Sequence, residues 1–341
     1  TVPGHWLETS RWPCPNIEMM TIFLGDESRS EDAIYPDTPF RSPLETGTTF
    51  GELVAHCSGP EMPLDQRSVD GRSVIYETSP LPEALDIWGD PAFEAQFSST
   101  APDGNLIVRL CDVSPDGASQ RVSFGVLNLR HVGGNADPKP FPVNTPVTCQ
   151  IRLDHVAHRF PPGHKIRLSL STACWPAIWP AKNDPVLSLV NSLAKLDLPA
   201  VDIGEYVKQV QPAGPVAPRA ANIKMLRQSR RERRVSRDEV ARKTVFDIRD
   251  DYGKAEFADH GMMNDGVKWE RYTINDGDPL SATCDIGWTL GLGRTGWSAQ
   301  TKTTTRLTCD ETHYHLQATV TATDGNLEIF SRSWRKSIER G

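Results

Sequence analysis

Proline and glycine constrain this chain more than any other feature. Twenty-seven prolines and twenty-five glycines punctuate its 341 residues, lying between short apolar stretches rather than in one low-complexity block. Proline fixes φ and removes a backbone donor, so it breaks helix interiors; glycine admits the positive φ of tight turns. In residues 1–70, Pro3, Pro13, Pro15, Pro36, Pro39, Pro43, Pro60 and Pro63 forbid long helices and predict a loop-rich segment with one strand at Glu18–Leu24. A chain of this length fits about two domains of roughly 150 residues each.

From Arg72 onward the pattern is β. Ser73–Glu77 and Ile87–Trp88 read as short strands. In Pro91–Ser98, Phe93, Ala95 and Phe97 alternate with polar residues, the period-two mark of a half-buried strand. Leu106–Val113 repeats it, with Leu106, Val108 and Leu110 on one face and Ile107, Arg109 and Cys111 on the other. Ser114-Pro115-Asp116-Gly117 is a turn, and Gln120–Arg130 the returning strand. Thr148–Leu153 and Lys165–Thr172 follow, with Pro161-Pro162-Gly163 as a turn between them. Strands without intervening helices predict a sandwich or jelly roll. Gln211–Arg219 is rich in Pro and Ala and reads as a linker. After it, Trp269–Asn275, Cys284–Leu290, Trp297–Cys309, His313–Thr323 and Leu327–Trp334 predict an antiparallel meander, with turns at Asn275-Asp276-Gly277 and Thr323-Asp324-Gly325-Asn326.

Charge and cysteine usage narrow the function classes. A net charge of −7 gives no overall steering toward nucleic acid or acidic membranes. The apolar runs fall far short of the ~20 residues of a membrane span. Within this acidic chain lies a basic run, Lys224, Arg227, Arg230, Arg231, Arg233, Arg234, Arg237, Arg242 and Lys243. It reads as an anion or nucleic-acid patch, or else as a solvated face or an arm paired with the acidic remainder; the absence of interleaved aromatics favours the second pair of readings. Seven cysteines are odd in number and widely spread, with no C-x-x-C pair. They read as buried thiols of a reducing, cytoplasmic compartment rather than as a disulfide framework or zinc site.

Few constellations carry chemistry. Gly291-Leu-Gly293-Arg-Thr-Gly296 matches the dinucleotide-binding glycine pattern, but the threonine-rich stretch after it predicts a strand where that motif needs a helix. His313-x-His315 places two imidazoles on one strand face without a third ligand at a telling spacing. His155, His158 and His164 crowd one region, split by the proline turn. No serine satisfies G-x-S-x-G, and no S-x-x-K, H-E-x-x-H or G-x-x-x-x-G-K motif occurs. No cofactor or metal is expected. Trp175 and Trp179, each followed by proline, form a candidate aromatic platform or the packing at a sandwich end.

Several spaced blocks resemble the C-terminal domain of X-prolyl dipeptidyl-peptidases and the CocE/NonD acyl-hydrolase family. They are Asp65-Gln66-Arg67, Ser79-Pro80-Leu81, Trp88-Gly89-Asp90-Pro91, the stretch from Ser98 to Gly117 with Gly104 and Asp112, Gly125–Leu129, and Phe160–Ser171 with Pro162-Gly163-His164. They fall in family order over about residues 20–200. Asp278–Ala282, Arg294–Trp297 and Phe330–Trp334 are similar to the extension of longer members.

The resemblance implies an all-β fold: a jelly-roll, galactose-binding-like β-sandwich with a second antiparallel β-rich extension. It implies residues 1–30 as a linker after an α/β-hydrolase domain, 31–200 as the jelly roll, 201–243 as a Pro/Ala-rich and basic linker, and 244–341 as the extension. In the family the hydrolase domain carries a Ser-His-Asp triad upstream. Here Thr1–Pro13, with Trp6 and Trp12-Pro13, looks like the linker that follows it, so the chain is expected to be the later, non-catalytic part of a serine hydrolase, inactive alone. His5 is outside the family's catalytic-histidine motif. The family's pocket-lining loop corresponds to about Phe50–Ser58, which makes Leu53, Val54, His56 and Cys57 rim candidates. The partners implied are the hydrolase domain, in the same polypeptide or a separate chain, and through it a small acyl or peptide substrate; neither nucleic acid nor membrane is expected. The rival reading is a free-standing carbohydrate- or partner-binding sandwich using Trp175 and Trp179.

Overall fold

The computed structural model describes residues 4–24, 37–55, 59–202, 207–214, 216–217 and 220–340. Helix among them is confined to the single turn α1 (Arg67–Asp70) and two 3-10 turns, Gly59–Glu61 and Leu129–His131. The all-β expectation holds. The chain divides into two compact units: one of Thr1–Glu52, Pro63–Ala177 and Asn183–Pro215, the other of Leu53–Met62, Ile178–Lys182 and Val216–Gly341.

The first unit is a sandwich. Its strands are β1 (Trp6–Thr9), β2 (Ile17–Phe23), β3 (Thr38–Phe40), β4 (Val74–Glu77), β5 (Leu85–Gly89), β6 (Ala92–Ser99), β7 (Asn105–Val113), β8 (Ser119–Asn128), β9 (Val147–Arg152), β10 (Val156–Phe160), β11 (Lys165–Ser171), β12 (Leu187–Val201) and β13 (Val207–Val210). One sheet runs β10-β5-β12-β6-β9, with β2 and β3 also pairing β12; the facing sheet runs β4-β11-β7-β8, and β1 pairs β13 separately. Phe93 and Phe97 from the first sheet meet Leu106, Val108, Leu110, Leu168 and Leu170 from the second in one continuous core. Each such side chain, fully buried, is worth roughly 1.5–3 kcal/mol.

Two strands depart from simple alternation. All nine residues of β7 are buried, so its second face is covered too. That face carries Arg109, fully buried in a run that otherwise reads as apolar. In β12 the buried positions change parity, from Leu187 and Leu189 to Ala194, Leu196 and Leu198. The pairing with β6 shifts register between Val190 and Lys195. Between these pairs β12 advances five residues while β6 advances two, and the three extra residues, an odd number, carry the inward face to the other parity. The period-two signal is thereby broken, which explains why this central strand is not legible in the sequence.

Residues 1–30 are not simply a linker, because β2 pairs β12 over seven residues, from Ile17↔Val201 to Phe23↔Lys195. Residues 201–243 are not one either: they contain β13 and the first two strands of the second unit. That unit is a meander of β14 (Ile223–Arg227), β15 (Arg230–Asp238), β16 (Lys243–Phe257), β17 (Met262–Asn275), β18 (Asp278–Arg294), β19 (Trp297–Cys309), β20 (His313–Asp324) and β21 (Leu327–Glu339). Consecutive strands from β16 to β21 pair antiparallel, and β14 and β15 both lie against β16. At the break between those two, Gly253 has φ +84°, and a Cβ there would lie 2.7 Å from the Arg227 carbonyl oxygen. The basic run enters the sheet through its acids. Arg227 takes Asp251 and Asp265 at 2.8 and 2.6 Å, Arg233 takes Asp250 at 2.7 Å, and Arg237 takes Asp276 at 2.7 Å. Register makes this possible, since β15 lies directly opposite the acidic stretch Asp247–Asp251 of β16.

Candidate functional site

The Asp65-Gln66-Arg67 block lies at the base of the candidate rim loop. Leu64 donates its N–H to the Thr49 carbonyl at 3.1 Å, closing that base. Gln66 is fully buried; its amide nitrogen donates to the carbonyls of both Thr49 and Leu64 at 2.7 Å. Its amide oxygen accepts from Arg109 Nη1 at 3.0 Å. Asp65 accepts from the Arg67 backbone N–H and guanidinium at 3.0 and 2.8 Å, which opens α1.

Behind Gln66 lies a buried ionic network. Arg109 Nη2 reaches Asp70 Oδ1 at 3.0 Å, Ser169 Oγ at 2.8 Å and Ser73 Oγ at 3.1 Å. Asp70 also accepts from Ser119 Oγ at 2.7 Å and Arg167 Nη1 at 2.6 Å. Arg167 continues to Glu77 at 2.7 Å, and Lys165 joins Glu77 at 3.2 Å. Burial works against ionisation of Glu77, but Arg167 and Lys165 outweigh it and hold the carboxyl below the usual range. A second anchor is Arg121. It donates to the Phe50 carbonyl at 2.6 Å and lies over the Phe50 and Phe124 rings, 4.2 and 4.7 Å from their centroids. The loop leaves its clamped base near Phe50 and returns at Leu64.

Leu53 and Val54, beyond that base, are 43 % and 74 % exposed. His56 and Cys57 lie outside the described residues. Arg109, Asp70, Ser169 and Arg167 were not singled out from the sequence. The signal available was one arginine inside the apolar run Leu106–Val113, and a buried arginine requires a carboxylate.

Of the two readings of the tryptophans, Trp175 fits packing. Trp175 is 1 % exposed and offers no ring face to a ligand. Its backbone N–H is held by the Thr46 carbonyl at 2.6 Å. Trp179 falls in the other unit and meets the Tyr314 ring edge-on, with centroids 6.0 Å apart.

The histidine groups resolve differently. His158 Nε2 and His164 Nδ1 both bond the nearly buried Asp112 carboxylate, at 2.9 and 2.7 Å, while exposed His155 pairs with Asp90. His315 bonds Asp310 Oδ2 at 2.8 Å, and His313 turns to Thr312 Oγ1 at 2.8 Å. Among the described residues, no three His, Cys, Asp or Glu side chains are grouped to hold a metal ion. Gly291–Gly296 belongs to the β18–β19 hairpin, whose turn residue Gly296 has φ +80°. Burial pushes the thiols of Cys111 and Cys284 up to about 11 and those of Cys149 and Cys174 up to about 12, so these four stay protonated at neutral pH.

With this geometry described, comparison with known families gives the chain its place. The family described as X-Pro dipeptidyl-peptidase C-terminal non-catalytic domain matches residues 1–211. This chain belongs to that family. Cocaine esterase from a Rhodococcus species is 22 % identical over 187 residues, covering 50 % of this chain and 33 % of that protein. The chain spans about a third of the length of the curated relatives it matches. Among solved structures, an aminopeptidase from a marine-sediment Thaumarchaeota archaeon is 18 % identical, with a TM-score of 0.48, covering 57 % of this chain and 38 % of that one. An α-amino acid ester hydrolase is 23 % identical, with a TM-score of 0.41, covering 48 % and 32 %. No helix among the described residues is long and apolar enough to cross a membrane.

Proposed function

We propose that this chain is the non-catalytic portion of a serine hydrolase of the X-Pro dipeptidyl-peptidase or acyl-esterase type, and that its rim loop helps line the substrate pocket. The observation that carries this reading is the loop itself. Its base is fixed by Gln66 and Arg121, and beyond that base Leu53 and Val54 stand exposed. Exposed apolar side chains on a clamped loop suit a pocket wall, where burial on closure excludes water from acyl transfer. Membership of the non-catalytic family supports an external source of the chemistry. In the assembled enzyme a serine on an α/β-hydrolase domain attacks the carbonyl, a histidine takes its proton and passes it to the leaving group, and a carboxylate orients that histidine. The domain boundaries follow the same reading, with a sandwich that docks the hydrolase domain and a β-rich extension after it. The free cysteines among the described residues, most of them buried, favour a reducing, cytoplasmic setting.

The rim loop is tested in the hydrolase that contains this chain. Replacing Leu53 and Val54 together by serine is expected to raise KM for an apolar acyl substrate several-fold while kcat changes less than twofold. Unchanged KM across short and long acyl chains contradicts the pocket role.

A further inference from the structure

One face of the second unit's sheet holds an open groove of about 360 Å³, and no motif in the sequence points to it. Its floor is made by Trp269, 40 % exposed. The indole lies flat across Gly287, its direct partner on β18: a Cβ at Gly287 would stand 2.2 Å from the indole nitrogen. A glycine at this position is what lets the ring lie down and turn a face outward. On the other side of Trp269, directly opposite on β16, stands Arg249, which is exposed.

The surrounding charges are committed elsewhere. Arg271 holds Asp247 through two bonds of 2.7 and 3.2 Å. Glu232 accepts from Arg230 at 2.7 Å. Arg249 has no hydrogen-bond or ion-pair partner among the described residues. Asp251, whose carboxyl is held low first by its hydrogen bond from Arg227 and only last by the charge of Arg249, is already paired with Arg227. A cross-strand pair places its Cβ atoms about 5 Å apart, so an indole face and an unspent guanidinium fork stand side by side.

From these positions we infer that the groove binds a ring-borne carboxylate: the ring stacks on the Trp269 indole and the carboxylate takes the Arg249 guanidinium. Indoles accept the faces of aromatic rings and the C–H faces of sugars, and arginine binds carboxylates in bidentate geometry. An aromatic acid and a uronic acid both present this chemistry. The site lies wholly within the second unit and does not depend on the proposed hydrolase role.

The test is ligand-observed NMR and calorimetric titration of the chain with benzoate and with glucuronate, alongside benzamide and methyl glucoside as uncharged counterparts. Saturable binding of at least one acid, absent for its neutral counterpart, is expected, and which acid binds identifies the source. Arg249→Gln is expected to weaken that binding about tenfold with an unchanged circular dichroism melt, and Trp269→Ala to abolish it. Failure of both acids to bind at millimolar concentration overturns the proposal. So does binding that is equal in the wild type and Arg249→Gln, a surface variant that keeps the sheet intact.

Discussion

Arg109 shows how much a single residue organises here. Its guanidinium is buried and ties Gln66, Ser73, Asp70 and Ser169 together, and through Gln66 it reaches the base of the rim loop. Removing one partner of a buried ion pair strands the other, at a cost of about 3–5 kcal/mol. Arg109→Met is therefore expected to lose stability on that scale in urea unfolding at neutral pH; a loss below about 1 kcal/mol contradicts the network's role. Asp250 adds a pH dependence. Burial opposes its ionisation, but Arg233 and Lys268 outweigh that and hold its carboxyl below the ordinary value. The folded state then binds this proton less readily than the unfolded one. The contribution is complete above the unfolded value of about 4 and fades as pH falls through the lower folded value. Asp250→Asn should be less stable at pH 7 and should lose stability less steeply than wild type below about pH 4 in acid titrations followed by circular dichroism. An unchanged acid limb contradicts the assignment.

At the scale of elements, legibility in the sequence followed periodicity. Strands β6 and β19 are legible because Phe93, Ala95 and Phe97 keep period two and because threonines dominate Trp297–Cys309. The register shift hides β12. The strands β14 and β15 are obscured by charge: a basic run carries no period-two apolar signal, although its pairing with the acidic remainder was legible, and the structure realises it with Asp250, Asp251 and Asp265. The polar anchors of the site could not be read either, since Gln66, Asp70, Arg109 and Ser169 lie far apart in the chain and only pairing of β7 with β11 brings the last two together. The turn that leads into the rim loop, closed by the Phe50 N–H on the Gly47 carbonyl at 2.9 Å, has its own backbone requirement. Gly47 has φ +122°, and a Cβ there would lie 2.7–2.8 Å from backbone atoms of Cys174 and Trp175. Gly47→Ala is expected to cost at least about 2 kcal/mol in thermal or urea unfolding, since strain and a backbone clash coincide. A neutral result contradicts the tight seating of this loop.

At the scale of the whole molecule, the two units carry different features. The sandwich supplies a core and the clamped base of the rim loop, and the match to a non-catalytic family covers it. The meander supplies a sheet whose inserted basic strands are neutralised by carboxylates across the register, and a groove of its own. Neither unit contains a nucleophile motif, and four buried thiols are held protonated. Fold class and family were legible because several spaced blocks agree; the rim residues His56 and Cys57 stay an expectation. The most direct measurement is hydrolysis by the purified chain of p-nitrophenyl esters and of an X-Pro-p-nitroanilide, with and without a serine-directed phosphonate. The account predicts no turnover above buffer and no phosphonate labelling. Turnover that the phosphonate abolishes would show a catalytic serine within this chain and contradict the central claim.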